Sequence, residues 1–306
     1  MKILKLAPCL KEIIWGGTNL ITKYGIETDL KNVAEAWVLS AHKGNESTIL
    51  NGEFKGLNLS EAVDKMGKEC LGTNGGAFTY FPILIKLIDA RDKLSVQVHP
   101  DDEFALKNEG EYGKTEMWYI VDCDPGAELY FGFKEKISKK EFETRIKENT
   151  LTEVLNNVPV KKGDVFFIPS GTVHAIGAGI LIAEIQQNSN TTYRIYDYGR
   201  LGADNKPREL HIEKALKTAV LDKPLPQTTF TDGTLAECDY FKVKRFEVNE
   251  RLTLNVDEKS FSSILALEGN ICIDGVELSA GQCVFIPANS GEIIISGNGT
   301  FIESRV

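Results

Sequence analysis

The sequence predicts a mainly β protein of sandwich or barrel type, built as two successive β units. Short runs rich in Val, Ile, Phe and Tyr recur along the chain, with Gly, Pro, Asn and Asp in the gaps, the pattern of many strands separated by turns. Helical periodicity appears in only four places. Finally, Gly163-Asp-Val-Phe-Phe-Ile-Pro169 is matched at identical spacing by Gly281-Gln-Cys-Val-Phe-Ile-Pro287. Two unrelated strands ending in Ile-Pro would look alike, but two related β units account for the match better.

In chain order, the strands fall at 81–89, 94–99, 116–122, 128–133, 164–169 and 179–187. Helices are expected at 60–71, opened by a Ser cap, and at 101–109, after Pro100. A third stretch, 138–157, reads as a small helical insertion broken near Asn149–Thr150, and the last helix covers 208–220. Residues 221–233 hold two prolines and a glycine and form the expected linker. It divides a first unit, 1–220, from a second, 234–306, which is again strand-like. Where the first repeat has His174, five residues past its proline, the second has Glu292, and no histidine follows His211. Only the first unit is therefore expected to hold a metal.

With 306 residues, the chain can bury a sizeable core. Its 35 Lys and Arg against 44 Asp and Glu give a net charge of −9. That balance argues against nucleic acid and anionic membranes as partners, both of which need clustered cations. An anionic small molecule needs only a few local cations and stays open. No run approaches the ~20 apolar residues of a membrane span, and the first residues lack a signal peptide's apolar core. Six scattered cysteines without a framework spacing read as reduced thiols of a cytoplasmic protein.

Chemistry is concentrated around two of the four histidines. Alternation along Ser95-Val-Gln97-Val-His99 puts Ser95, Gln97 and His99 on one face of a strand. Three polar groups on one face must be solvated or must coordinate something. Glu116 opens another strand, and His174 follows a Pro-Ser-Gly-Thr-Val turn. An amide oxygen, two imidazoles and a carboxylate suit a divalent ion; a histidine that merely closes a barrel mouth is the plain alternative. Glu184 and Gln186 alternate inward in Ile182-Ala-Glu184-Ile-Gln186, where a carboxylate is costly unless used. Lys86, in ILIKLIDA, either reaches a ligand or snorkels to the surface.

Several segments together resemble a known family: WGG (15–17), EAW (35–37), PILIKLIDA (82–90), LSVQVHPDD (94–102), GKTEMWY (113–119), the stretch 163–200, and RELHIEKAL (208–216). The chain is similar, over roughly residues 10–220, to the zinc-dependent type I mannose-6-phosphate isomerases in their short bacterial form, of the cupin superfamily. The resemblance implies two cupin jelly-roll barrels, the C-terminal one degenerate and metal-free. One Zn2+ per chain is implied on Gln97, His99, Glu116 and His174. The implied substrate is a small phosphosugar, mannose 6-phosphate, exchanged with fructose 6-phosphate through a cis-enediol.

Arg194 matches the family's active-site arginine, placed to stabilise an enediolate or hold a phosphate. Lys114 matches a pocket lysine, and Glu184 is a candidate base or hydroxyl anchor. Trp15, Glu35 and Ser95 match substrate-lining positions, with Lys86 as a further phosphate candidate. A neutral amide at Gln97 favours a redox-silent Lewis acid over oxygen chemistry. The rival readings are an isomerase of a related phosphosugar and a non-catalytic sugar-sensing bicupin. His42, in a polar turn, is expected at the surface, and His211, near a helix start, is expected to be structural.

Overall fold

The structure, a computed structural model, describes residues 3–202 and 205–306. Three sheets organise the chain. A six-stranded antiparallel sheet runs in the order Val165–Ile168, Glu116–Cys123, Ile180–Gln187, Ile83–Ala90, Glu35–Leu39, Cys9–Lys11. A five-stranded sheet follows the order Tyr193–Tyr196, Val96–Val98, His174–Ala175, Glu128–Phe133, Leu155–Pro159. The third, of eight strands, takes in Thr234–Glu237 and the C-terminal strands. Each is an open path of strands in its hydrogen bonding, and none closes into the expected barrel.

The six-stranded sheet is covered on both faces, which explains its unbroken apolar runs. Alternation divides it cleanly. Ile83, Ile85, Leu87, Met117, Tyr119, Leu181, Ala183 and Ile185 enter a core shared with Phe261 and with Leu4, Leu6, Leu265, Phe285 and Ile302 of the eight-stranded sheet. The even-numbered Ile88, Trp118, Ile120, Ile180 and Ile182 face the other way, onto Leu129 and Phe131 of the five-stranded sheet. Lys86, Glu116, Glu184 and Gln186 occupy this same even register of the same strands. The period of two thus delivers every polar residue of these strands' centres to the space between the two sheets.

The five-stranded sheet repeats the logic. Val96, Val98, Val173, Ala175, Tyr193 and Ile195 pack outward with Phe142, Ile146 and Ala215 of two covering helices, leaving Gln97, His174 and Arg194 in the intervening positions. Those helices are Lys139–Lys147, capped by Ser138, and Ile212–Thr218.

Three expectations need adjustment. Helix does not extend over 138–157: Asn149 takes a positive φ of 58°, a 3-10 turn follows at Leu151–Glu153, and Leu155–Pro159 is a strand on Glu128–Phe133. Pairing to an open edge wins there over weak helical propensity. The stretch 60–71 is likewise a helix, Leu59–Met66, and a separate 3-10 turn, Lys68–Leu71, split at Gly67 with φ 85°. A cut at 221–233 also does not divide the sheets, because Leu4–Ala7 and Thr48–Ile49 join the eight-stranded sheet through Cys283–Ile286. Among the described residues, no helix is long and apolar enough to cross a membrane.

Candidate active site and metal centre

His99, Glu116 and His174 converge between the two facing sheets, all essentially without solvent contact. One ligand atom from each lies within 4.8 Å of the others. His174 Nε2 is 3.4 Å from Glu116 Oε1, and His99 Nε2 is 3.6 Å from Glu116 Oε2. Gln97, paired with His174 across adjacent strands, brings its amide to 3.3 Å from His174 Nε2.

The imidazoles are fixed from behind. His99 Nδ1 lies 3.0 Å from the Thr191 carbonyl, and His174 Nδ1 lies 2.9 Å from that of Thr172. A carbonyl only accepts, so each Nδ1 carries the proton and each Nε2 presents its lone pair to the centre. Burial, with the nearby Lys114 charge, holds both histidines below their ordinary pKa and hence neutral. The Trp118 ring meets His174 edge-on at 5.3 Å between centroids.

Glu116 Oε1 is buried without a hydrogen-bond donor. Burial, then the neighbouring Glu184 charge, pushes the Glu116 carboxyl above its ordinary range, and Lys114 reverses this only in part. Two neutral imidazole lone pairs facing an unsatisfied buried carboxylate oxygen are the donor set a divalent cation completes. The residues fit a metal.

From Glu116 a buried file of alternating charges leads outward. Lys114 Nζ lies 2.6 Å from Glu116 Oε2, 3.2 Å from His99 Nε2 and 3.7 Å from Glu184 Oε1. Lys86 Nζ then bridges Glu184 at 3.3 Å and Glu35 at 3.6 Å, and sits 4.8 Å from the Trp37 ring centroid. Lys86 therefore does not snorkel. Glu184 also accepts from Trp118 Nε1 at 2.9 Å, and Glu35 from Trp37 Nε1 at 2.7 Å. Burial works against ionisation of Glu184, but the two ammonium groups outweigh it and hold its pKa down.

Above this lies a pocket of about 300 Å³. Trp15, Glu35, Lys86, Ser95, Gln97, Lys114, Glu184 and Arg194 all line it, so the residues picked from sequence meet in one place, with His99, Glu116 and His174 as the buried group beneath. Arg194 does not pair with Asp197: Arg200 and Arg208 occupy that carboxylate at 2.6 Å. Its Nη1 donates to the Glu209 carbonyl at 2.9 Å, and its Nε is buried without a partner. Asn190, Thr192 and Arg208 also line the pocket and were missed. Arg208 was readable only as the start of a helical stretch; its charge beside Arg194 was the available signal. His211 caps Ile212–Thr218 and accepts from the Arg194 backbone N–H at 3.1 Å, a structural role as expected.

Fold and site together define a β-sheet protein with a buried, metal-competent centre under a polar pocket. A family model described as the type I phosphomannose isomerase catalytic domain matches residues 3–120, and one described as the mannose-6-phosphate isomerase cupin domain matches 231–306. The mannose-6-phosphate isomerase ManA of Bacillus subtilis is 39% identical over 314 residues, covering 98% of this chain and 97% of its own. A mannose-6-phosphate isomerase of Streptococcus mutans is 37% identical, covering 90% and 89%. The crystal structure of a mannose 6-phosphate isomerase from Bacillus subtilis superposes with a TM-score of 0.90 at 36% identity, over 100% of both chains. The chain belongs to the type I phosphomannose isomerase family. Likeness to these relatives reaches well beyond residues 10–220, into the C-terminal unit.

Proposed function

We propose that this chain is a mannose-6-phosphate isomerase that interconverts mannose 6-phosphate and fructose 6-phosphate, with one Zn2+ on Gln97, His99, Glu116 and His174. The observation that carries the reading is the placement of a buried His–Glu–His group directly under a pocket lined by four cations, Lys86, Lys114, Arg194 and Arg208, against two carboxylates. In a chain of net charge −9, this local excess of positive charge suits a phosphate dianion. When bound, zinc supplies Lewis-acid polarisation of the sugar oxygens on carbons 1 and 2.

The chain's own residues account for the rest. Gln97 completes the set by turning its amide oxygen inward. Glu184, held ionised, takes the proton from carbon 2 and returns it to carbon 1 of the enediol, and Lys114 beside it binds a sugar hydroxyl or the phosphate. Arg194, with its free Nε, and Arg208 hold the phosphate at the mouth. Trp15, Glu35, Ser95 and Lys86 contact the sugar. Six free thiols among the described residues suit a cytoplasmic protein. The cupin-domain match over 231–306 supports reading the C-terminal unit as a jelly roll, completed by Leu4–Ala7 and Thr48–Ile49 from the start of the chain.

The test is a coupled isomerase assay on mannose 6-phosphate, with chelator, then with zinc restored, and with glucose 6-phosphate and other phosphosugars in parallel. Chelator-sensitive turnover strongest on mannose 6-phosphate supports the reading. A zinc-loaded chain that turns over no phosphosugar overturns it in favour of a sensing role.

A further inference from the structure

The five residues 188–192 carry the chain from the six-stranded to the five-stranded sheet, across the mouth of the pocket. A segment that leaves both sheets must satisfy its backbone groups elsewhere. Its start is tied by Gln186, whose Nε2 donates to the Ser189 carbonyl at 2.7 Å. Its middle is tied by Glu111, from the turn before Lys114. Glu111 Oε2 accepts from Asn190 N at 3.0 Å, Thr191 Oγ1 at 3.3 Å and Ser189 Oγ at 3.5 Å. His42 backs the carboxylate, with Nε2 3.3 Å from Glu111 Oε1 and its ring edge-on to Trp37. It is thus a half-buried support and not the surface residue expected of a polar turn.

The same loop supplies the Thr191 carbonyl that accepts the His99 Nδ1–H hydrogen bond, and its Asn190 and Thr192 line the pocket. We infer that Glu111 is a positioning residue: it fixes the 188–192 crossing so that the Thr191 carbonyl holds the His99 ring with Nε2 toward the metal centre. This rests on the metal reading above. Outer partners of a ligating histidine set its tautomer and orientation, and their loss typically costs about 10–100-fold in metal affinity. Glu111 acts one step further out, through a backbone carbonyl that no side-chain substitution can remove.

Three variants of the full chain test it: Glu111→Ala, Glu111→Asp, whose oxygens stop short of the loop, and Glu111→Gln, whose amide oxygen still accepts from Asn190. Zinc affinity is read by competition with a chromophoric chelator, and loop order by hydrogen exchange over 188–192; thermal unfolding confirms that each variant is folded. Glu111→Ala and Glu111→Asp are expected to weaken zinc binding by about tenfold or more and to speed exchange in 188–192, while Glu111→Gln restores both. Equal zinc affinity in wild type and in a folded Glu111→Ala or Glu111→Asp overturns the inference and leaves the metal reading standing. A wild-type chain that takes no zinc overturns both.

Discussion

The two Gly-x-x-x-Phe-Ile-Pro repeats end in opposite chemistry. After the first, whose strand is Val165–Ile168, the chain turns through Ser170–Val173 and puts His174 between two sheets. After the second, whose strand is Cys283–Ile286, the equivalent offset holds Glu292, which is exposed. The interior of the eight-stranded sheet is filled by its own side chains: Val248, Ile264, Ile271, Ile273, Val284, Ile286, Ile295 and Phe301. One unit keeps a polar gap that only partners and a ligand can satisfy. The other is filled by apolar packing and gains stability instead. The lesson is that the same short strand motif leads into a site or into a buttress according to the few residues on the inward register around it.

That contrast can be broken from either side. The largest effect is expected from His174→Ala, which should remove stoichiometric zinc and several kcal/mol of Lewis-acid stabilisation, about three orders of magnitude in turnover; metal analysis and the coupled assay measure it. Full turnover in a zinc-free variant would show that the centre is not catalytic. Phe301→Ala should cost about 3–5 kcal/mol of stability in denaturant titration, with zinc affinity unchanged. A matching fall in zinc affinity would mean that the second unit shapes the site and does not simply support it.

Lys86→Met probes the polar gap itself. It removes the ammonium partner of Glu35 and leaves Lys114 as the cation beside Glu184, and should destabilise by about 3 kcal/mol, as breaking a buried pair does. A variant as stable as wild type would show that the charge file is solvated in practice. The smallest effect concerns Asp197, whose carboxyl is held below its ordinary value of 3.8: burial raises it, but hydrogen bonds from Arg208 and Arg200 outweigh that. A depressed folded pKa means stability present above about 3.8 and lost as the pH falls below it. Asp197→Asn should flatten that part of the acid limb; an unchanged acid profile would assign the loss to other carboxylates.

Much of the first unit was legible because its signals are local. Strand alternation alone put Ser95, Gln97 and His99 on one face and Glu184 beside Gln186; Ser95, Gln97 and Glu184 line the pocket, and His99 lies in the buried group beneath it. The roles attached to them came from family resemblance. What could not be read were contacts made by backbone or across long separations. The carbonyls of Thr172 and Thr191 leave no mark in side-chain type. Arg208 reaches the pocket from a loop, where no periodicity reports direction. Strand 155–159 was hidden because its pairing with Glu128–Phe133, and not its own propensity, decides its state.

The pairing of Leu4 with Phe285 has a consequence in time. A nascent chain makes Leu4–Ala7 and one of its neighbours, Thr48–Ile49, early, yet the neighbour on the other side, Cys283–Ile286, emerges far later. Such distant pairing is slow to find. Until it forms, Leu4 and Leu6 have no finished core to enter, and the back of the six-stranded sheet stands uncovered. Synthesis therefore passes through an interval in which the strands around the His99–Glu116–His174 group can assemble while their apolar rear still awaits the strands of residues 242–305.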